Sequence, residues 1–407
     1  MKKTLLAAAL TVGFFGVAQA ETSVTLYGIL DGGIGYQQVK GNSSYSATRT
    51  DATNFKATRT GMINGVQSGN RWGLKGAEDL GDGLRVVFQL ESGFDLGTGI
   101  SAQGYKDGND SQTRLFGRQA TLGLASDAWG QLDVGRQTNI ASKYLPGVID
   151  PFGAGFGQAN AGVSFTASNT VRYDNMVMYQ TPNFSGFQFG VGYSFNTNGS
   201  QYWDIKDKTI GGVDFNEKDA NKKAVTTGLR YSNGPIAVAL TYDQLRAGGV
   251  SFGYNPTNGK ADIAKVGEKT TVKSWALGGS YDFEVAKVHL GFGQTRNGVF
   301  TAESFGGNAT ALTGEGLKVN SYLVGVTAPI GNGKIMASWQ MADPRSNPDS
   351  WAGTDRETAK QQVYSLGYTY NLSKRTNVYA IGSYAKHAAF LPDAKSSVLG
   401  VGLRHQF

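Results

Sequence analysis

The 407-residue sequence predicts an all-β fold, a sixteen-stranded antiparallel β-barrel that crosses a membrane. Three observations predict it: apolar and polar residues alternate along many segments, an export-type leader is followed by no further membrane helix, and short connections alternate with long ones.

The chain begins Met1-Lys2-Lys3, continues through an apolar stretch from Leu5 to Ala18, and reaches Ala18-Gln19-Ala20. A short basic start, an apolar run and small residues at the cleavage point form a secretory signal peptide. Residues 1–20 are therefore set apart from the barrel, which is expected over 21–407. The apolar stretch is too short for a membrane helix, which needs about twenty such residues. Nothing after residue 20 is long and apolar enough to make one. An exported chain of aromatic-rich strands can still span lipid, but only as a closed barrel, because hydrocarbon leaves open strand edges unsatisfied.

Composition agrees. Glycine is abundant at 58, proline scarce at 9, and the chain carries 19 Tyr and 21 Phe, which suits strands and turns. The formal net charge of +7 is spread along the chain without a dense Lys/Arg block, so nucleic acid is not an expected partner. The absence of cysteine excludes disulfides, thiol nucleophiles and thiolate metal sites.

Strand by strand, alternation places one face in lipid and the other in water. Leu84, Val86, Phe88, Leu90 and Phe94 interleave with Arg85, Gln89, Glu91 and Gly93. Phe187, Phe189, Val191, Tyr193 and Phe195 interleave with Gln188, Gly190, Gly192, Ser194 and Asn196. Val225 to Tyr231 repeats the pattern, and Leu399, Val401, Leu403 and Phe407 alternate with Gly400, Gly402, Arg404 and Gln406.

A soluble sandwich also alternates, so the connections decide between the two. Turn residues mark seven short links, at 79–83, 126–130, 182–186, 233–235, 282–285, 329–333 and 372–375. Eight long polar segments lie between them, at 39–69, 97–113, 138–169, 197–223, 247–270, 298–317, 343–360 and 387–396. Eight loops and seven turns in strict alternation require sixteen strands. Aromatics near strand ends, among them Trp72, Trp129, Trp275 and Trp339, suit membrane interfaces.

Parity then picks the side chains that face the bore. Trp72 and Leu74 face lipid, which leaves Arg71 and Lys75 inside. Arg85 and Glu91 face inward on the next strand, and Arg172 and Asp174 do so where Val171, Tyr173, Val177 and Tyr179 take the outer parity. Arg118 shares parity with Leu122 and Leu124, and Arg136 with Leu132 and Val134, so periodicity taken alone points both of them outward.

Several stretches resemble the Gram-negative general porin family: Ser23 to Gly28, Arg71 to Leu84, Phe88 to Phe94, Leu115 to Ala120, Leu132 to Gln137, Tyr179 to Phe184, Asn371 to Thr376 and Leu403 to Phe407. They span nearly the whole chain after the leader. The resemblance implies a homotrimeric, sixteen-stranded barrel in the outer membrane, in contact with its lipid. It further implies a third loop, 138–169, folded into the lumen, and a terminal Phe407 read by the barrel-assembly machinery. It also carries an inner-wall arginine onto Arg118 and keeps Arg136 as a further candidate. The expected constriction set is Arg71, Lys75, Glu91, Arg118, Arg136, Asp150 and Arg172. The third loop holds only Lys143 and Asp150 as charged residues, so the constriction should be net positive and modestly anion-preferring.

No enzymatic role, cofactor or metal is expected. His289, His387 and His405 are not in ligand spacing, and no motif frames a nucleophile. The expected function is passive diffusion of ions and small hydrophilic solutes. A substrate-specific channel is the alternative, ahead of a barrel adhesin, receptor or enzyme.

Overall fold

A computed structural model describes residues 23–42, 54–107, 110–201, 205–210, 213–217, 221–246, 251–255, 260–264, 270–300, 312–354 and 357–407. The expected signal peptide, residues 43–53, and parts of the long segments at 197–223, 247–270 and 298–317 lie outside the described residues.

The strands in chain order are β1 Ser23–Asn42, β2 Asn54–Asn64, β3 Arg71–Gly81, β4 Leu84–Gly93, β5 Tyr105–Asp107 and β6 Asp110–Gln112. They continue as β7 Gln119–Ser126, β8 Gly130–Thr138, β9 Arg172–Gln180, β10 Phe187–Ser194, β11 Ile205–Ile210 and β12 Val213–Glu217. Then come β13 Lys223–Asn233, β14 Ile236–Arg246, β15 Ser251–Asn255, β16 Lys260–Ala264, β17 Thr271–Asp282 and β18 Lys287–Arg296. The last are β19 Lys318–Ile330, β20 Gly333–Ser346, β21 Gln361–Asn371, β22 Thr376–Lys386 and β23 Lys395–Gln406. Two short helices, α1 Ile140–Tyr144 and α2 Pro146–Ile149, follow β8.

Seventeen of these strands form one antiparallel sheet, and the pairing of β1 with β23 closes it. β1 pairs with β3 through Ser23–Ile29 and with β2 through Gly32–Asn42, so β2 and β3 are two lengths of one stave. The wall is thus a sixteen-stave barrel. β5–β6, β11–β12 and β15–β16 are separate two-stranded hairpins.

All seven short links join consecutive staves where the turn residues place them. The first long segment differs from expectation, because 54–64 is wall strand rather than loop. Its residues 56–60 are exposed on both parities, so the apolar and polar contrast that marks the other strands is missing there.

The lipid-facing parity is plain in the exposures: Ile34 is 66%, Leu366 57% and Val401 59% exposed, while Ser365, Ile381 and Ser383 are buried. A barrel wall one strand thick has no core of its own. The buried apolar cluster instead joins the inward face of the wall to the segment between β8 and β9: Ile140, Tyr144, Leu145, Ile149 and Phe165 pack with Met176, Met178, Ala224, Ala239, Ala276 and Leu323. The wall makes room with glycine. A Cβ on Gly278 would come within 2.3 Å of Ile149 Cγ2, and one on Gly190 within 2.5 Å of Ile140 Cδ1. Each large apolar side chain buried this way contributes roughly 1.5–3 kcal/mol.

Candidate functional site

Polar anchors hold the segment 139–171 against the same inward parity. Asn139 accepts from Ser142 N at the start of α1 while its amide donates to Asp243 Oδ1 at 2.7 Å. Farther along, Ser321 Oγ donates to Ser164 O at 2.6 Å, and Gln340 Nε2 to Ala159 O and Asn160 O, both at 3.1 Å. Gln158 Nε2 reaches Ser383 Oγ at 3.0 Å.

A second irregular stretch, residues 65–70, breaks the stave between β2 and β3. Asp31 organises it: its Oδ2 accepts from Ser68 N at 2.6 Å, its Oδ1 from Tyr379 Oη at 2.7 Å, and its own N–H donates to Asn70 Oδ1 at 2.6 Å. Phe156 N donates to Val66 O, which joins the two irregular segments.

Between them lies a cavity of about 870 Å³. Its charged lining is Arg71, Arg118, Lys287, Lys334, Arg404 and Asp150, together with His289. Cations therefore outnumber acids five to one around it.

The expected residues separate into distinct groups. Arg118 Nε donates to Glu91 Oε1 at 2.6 Å, and Arg71 Nη1 lies 3.8 Å from the same oxygen. Glu91 Oε2 accepts from Tyr27 Oη at 2.9 Å. Arg136 Nη1 and Arg114 Nη2 each reach an oxygen of Asp174 at 2.5 Å. Arg172 donates from Nη1 to Thr170 O at 3.0 Å and sits within electrostatic reach of Arg71, Arg118, Arg136 and Glu91. Lys75 is inside the barrel but apart from this group, with Nζ 5.6 Å from the Tyr27 ring centre and beside a smaller cavity lined by Gln89, Gln131 and Asp133.

Simple parity fails for Arg118 and Arg136, and the backbone shows why. Arg118 precedes β7, so the alternation through Leu122 and Leu124 does not extend to it. Opposite Arg136 the register between β8 and β9 shifts by one extra residue on β9, where Asn175 sits at φ 48°, and this bulge brings Asp174 to Arg136 and turns Tyr173, expected to face outward, into the inward cluster with Met176 and Met178.

Asp150 caps α2 and is fully committed to its own loop, accepting from Phe152 N at 2.9 Å and from Ala161 N. Burial outweighs these hydrogen bonds and pushes its carboxyl up to about 8, which weakens it as a fixed negative charge at neutral pH. Lys143 donates to Gln137 Oε1 at 3.0 Å, which directs its ammonium at the wall rather than the cavity.

Sequence reading missed Lys287, Lys334 and the stretch 65–70 as parts of the site, and gave Arg404 inward parity without a role. The signals were present: Lys287 and His289 alternate with outward Leu290, and glycine and serine punctuate Gly65 to Asn70. Among the described residues, no cluster of three or more His, Cys, Asp and Glu could hold a metal ion.

Comparison with known proteins places this geometry. The sequence model for Gram-negative porins matches residues 6–387. An outer-membrane porin protein of Bordetella pertussis is 55% identical, with 100% of both chains covered. Outer membrane porin protein 32 of Delftia acidovorans is 29% identical over 98% of this chain and 92% of its own. The solved structure of an anion-selective porin from Comamonas acidovorans superposes with a TM-score of 0.64 at 25% identity, covering 95% of this chain and 100% of that one. A closed sixteen-stave barrel with a charged bore, matched by a porin sequence model over nearly its full length, assigns this outer-membrane chain to the Gram-negative porin family.

Proposed function

We propose that the chain forms a water-filled channel for passive diffusion of ions and small hydrophilic solutes, narrowed by the segment 139–171 and modestly anion-preferring. One observation carries the reading: five cationic side chains and a single acid, Asp150, line the cavity beside that segment. In a narrow bore with low-dielectric walls, such an imbalance concentrates anions and repels cations. The anion-selective title of the Comamonas acidovorans porin supports the same sign. Arg71, Arg118 and Arg172 belong to the constriction in this reading, with Glu91 partly neutralising the first two. Arg136 and Lys75 extend the basic lining beyond the cavity.

The leader 1–20 is removed on export, and the finished barrel works as a homotrimer. Phe407 exchanges backbone hydrogen bonds with Gly28 at 3.1 Å in both directions, so the last residue seals the β1–β23 seam. That position suits recognition of the terminus by the barrel-assembly machinery.

Swelling of liposomes that contain the purified protein tests the function. Gluconate and protonated glucosamine are similar in size and opposite in charge, and gluconate is expected to enter faster. Equal exclusion of both by a folded barrel would contradict the channel, and faster glucosamine would contradict the charge assignment.

A further inference from the structure

On β1, Gly32 stands opposite Asn64 of β2 and Ile29 opposite Arg71 of β3, so the two residues between them, Leu30 and Asp31, face six, residues 65–70. Four residues in excess cannot stay in the sheet, and the stave bulges out of its plane. The bulge lies on the bore side. Asp31 shares the inward parity of Tyr27, is fully buried, and holds the bulge from beneath: its carboxylate accepts from Ser68 N, its carbonyl from Gly65 N, and its own N–H donates to Asn70 Oδ1. Tyr379 Oη on β22 donates to its other carboxylate oxygen.

The bulge touches the basic wall of the large cavity at three points. Gly69 O accepts from Arg71 Nε at 2.9 Å, and Ser68 Oγ accepts from Arg404 Nε at 2.9 Å. Arg118 lies against Gly69, where a Cβ would come within 3.1 Å of its Nη1. A hydrogen bond at Nε fixes the plane of a guanidinium without using its terminal nitrogens. Gln67 Oε1 accepts from Asn377 Nδ2 at 2.7 Å, and Val66 O accepts from Phe156 N, so the bulge closes against both the wall and the segment 139–171. Three of the five cavity cations, drawn from β3, β23 and the approach to β7, thus share one frame.

Resting on the channel reading above, we infer that residues 65–70 form a second constriction element and that Asp31 is the positioning residue on which the bore's anion preference depends. As a negative charge Asp31 opposes that preference, whereas its hydrogen bonds hold the frame that produces it. The two roles have opposite consequences when the side chain is changed.

The test measures the zero-current potential in a potassium chloride gradient and liposome swelling in glucose, sucrose and raffinose, with heat-modified gel mobility showing folded barrels. Asp31→Ala leaves Ser68 N and Tyr379 Oη without their acceptor. Its chloride-over-potassium permeability ratio is expected to fall roughly twofold and raffinose to enter faster, because arginines released from a fixed frame in a wider bore focus the field less. Asp31→Asn can accept from Ser68 N and donate to Tyr379 Oη, so it is expected to keep the wild-type sugar profile with the ratio unchanged or raised. Deletion of residues 66–69 leaves two residues opposite Leu30 and Asp31, a regular stave, and is expected to behave as Asp31→Ala, which it replaces should that variant not fold. A raised ratio with an unchanged sugar profile in Asp31→Ala or the deletion would overturn the inference, reducing Asp31 to one negative charge, and so would Asp31→Asn behaving as Asp31→Ala. A wild-type barrel that does not conduct, or that favours cations, would contradict the channel reading instead. Hydrogen exchange at Ser68 N then decides the frame: protection is expected to fall in Asp31→Ala and persist in Asp31→Asn, and equal protection in both would overturn it.

Discussion

The two sides of the bore handle positive charge differently. On the side built by β3 to β9, arginines are tied to acids: Arg71 and Arg118 to Glu91, and Arg114 and Arg136 to Asp174. On the side built by β18 to β23, Lys287, Lys334 and Arg404 border the same cavity, and among the described residues none forms an ion pair. Arg404 is instead held by a neutral hydroxyl, its Nε donating to Ser68 Oγ at 2.9 Å. On the first side much of the charge is paired with acids, and on the second it borders the cavity without an ion pair among the described residues.

That contrast can be broken by substitution. The largest effect is expected from Lys287→Glu combined with Lys334→Glu, which inverts the unopposed side and should carry the zero-current potential in a potassium chloride gradient from the anion side to the cation side. Arg71→Glu is expected to shift it in the same direction by less, because Arg71 already shares Glu91 with Arg118. A larger shift from Arg71→Glu than from the lysine pair would show that the paired side sets selectivity.

Glu91→Gln sharpens the comparison by making the first side resemble the second. It leaves the buried Arg118 without its acid, so stability in denaturant titration should fall by roughly 2–4 kcal/mol, with the discount that a wetted bore requires. Anion preference should rise modestly in the same variant. Unchanged stability with unchanged selectivity would mean that the Arg118–Glu91 pair is inert.

The smallest effect concerns Asp150. A carboxyl raised from 3.8 to about 8 binds its proton more tightly in the fold than in the unfolded chain. Its contribution therefore favours the fold below pH 4 and is lost as pH rises toward 8. Hydrogen exchange of the amides of Phe152 and Ala161 should accordingly show less protection at pH 8.5 than at pH 5, beyond the intrinsic pH dependence of exchange. Asp150→Asn should flatten that difference, and an equally steep profile in the variant would assign it to another group.

Most of the wall was legible in the sequence, since lipid on one face and water on the other impose period two wherever a strand crosses the membrane. All seven turns followed from local backbone chemistry at residues such as Asp82-Gly83 and Asn233-Gly234. Legibility ended where that physical contrast ended. β2 is exposed on both parities along 56–60, and its apolar and polar residues do not alternate there. The bulge at Asn175 resets parity along β9, turning Tyr173 inward and bringing Asp174 to Arg136, and the irregular run before Gln119 does so for Arg118; a strict count cannot see a reset. Lys287 and Lys334 sit beside turns, where charged residues are ordinary, and only three-dimensional closure brings them to Arg71 and Asp150.

The most direct measurement is the zero-current potential of the wild-type channel in a planar bilayer across a potassium chloride gradient. A basic bore predicts an anion-favouring potential that declines as salt rises, because the Debye length shortens from about 10 Å at 0.1 M to about 3 Å at 1 M. A cation-favouring potential at low salt would contradict the account.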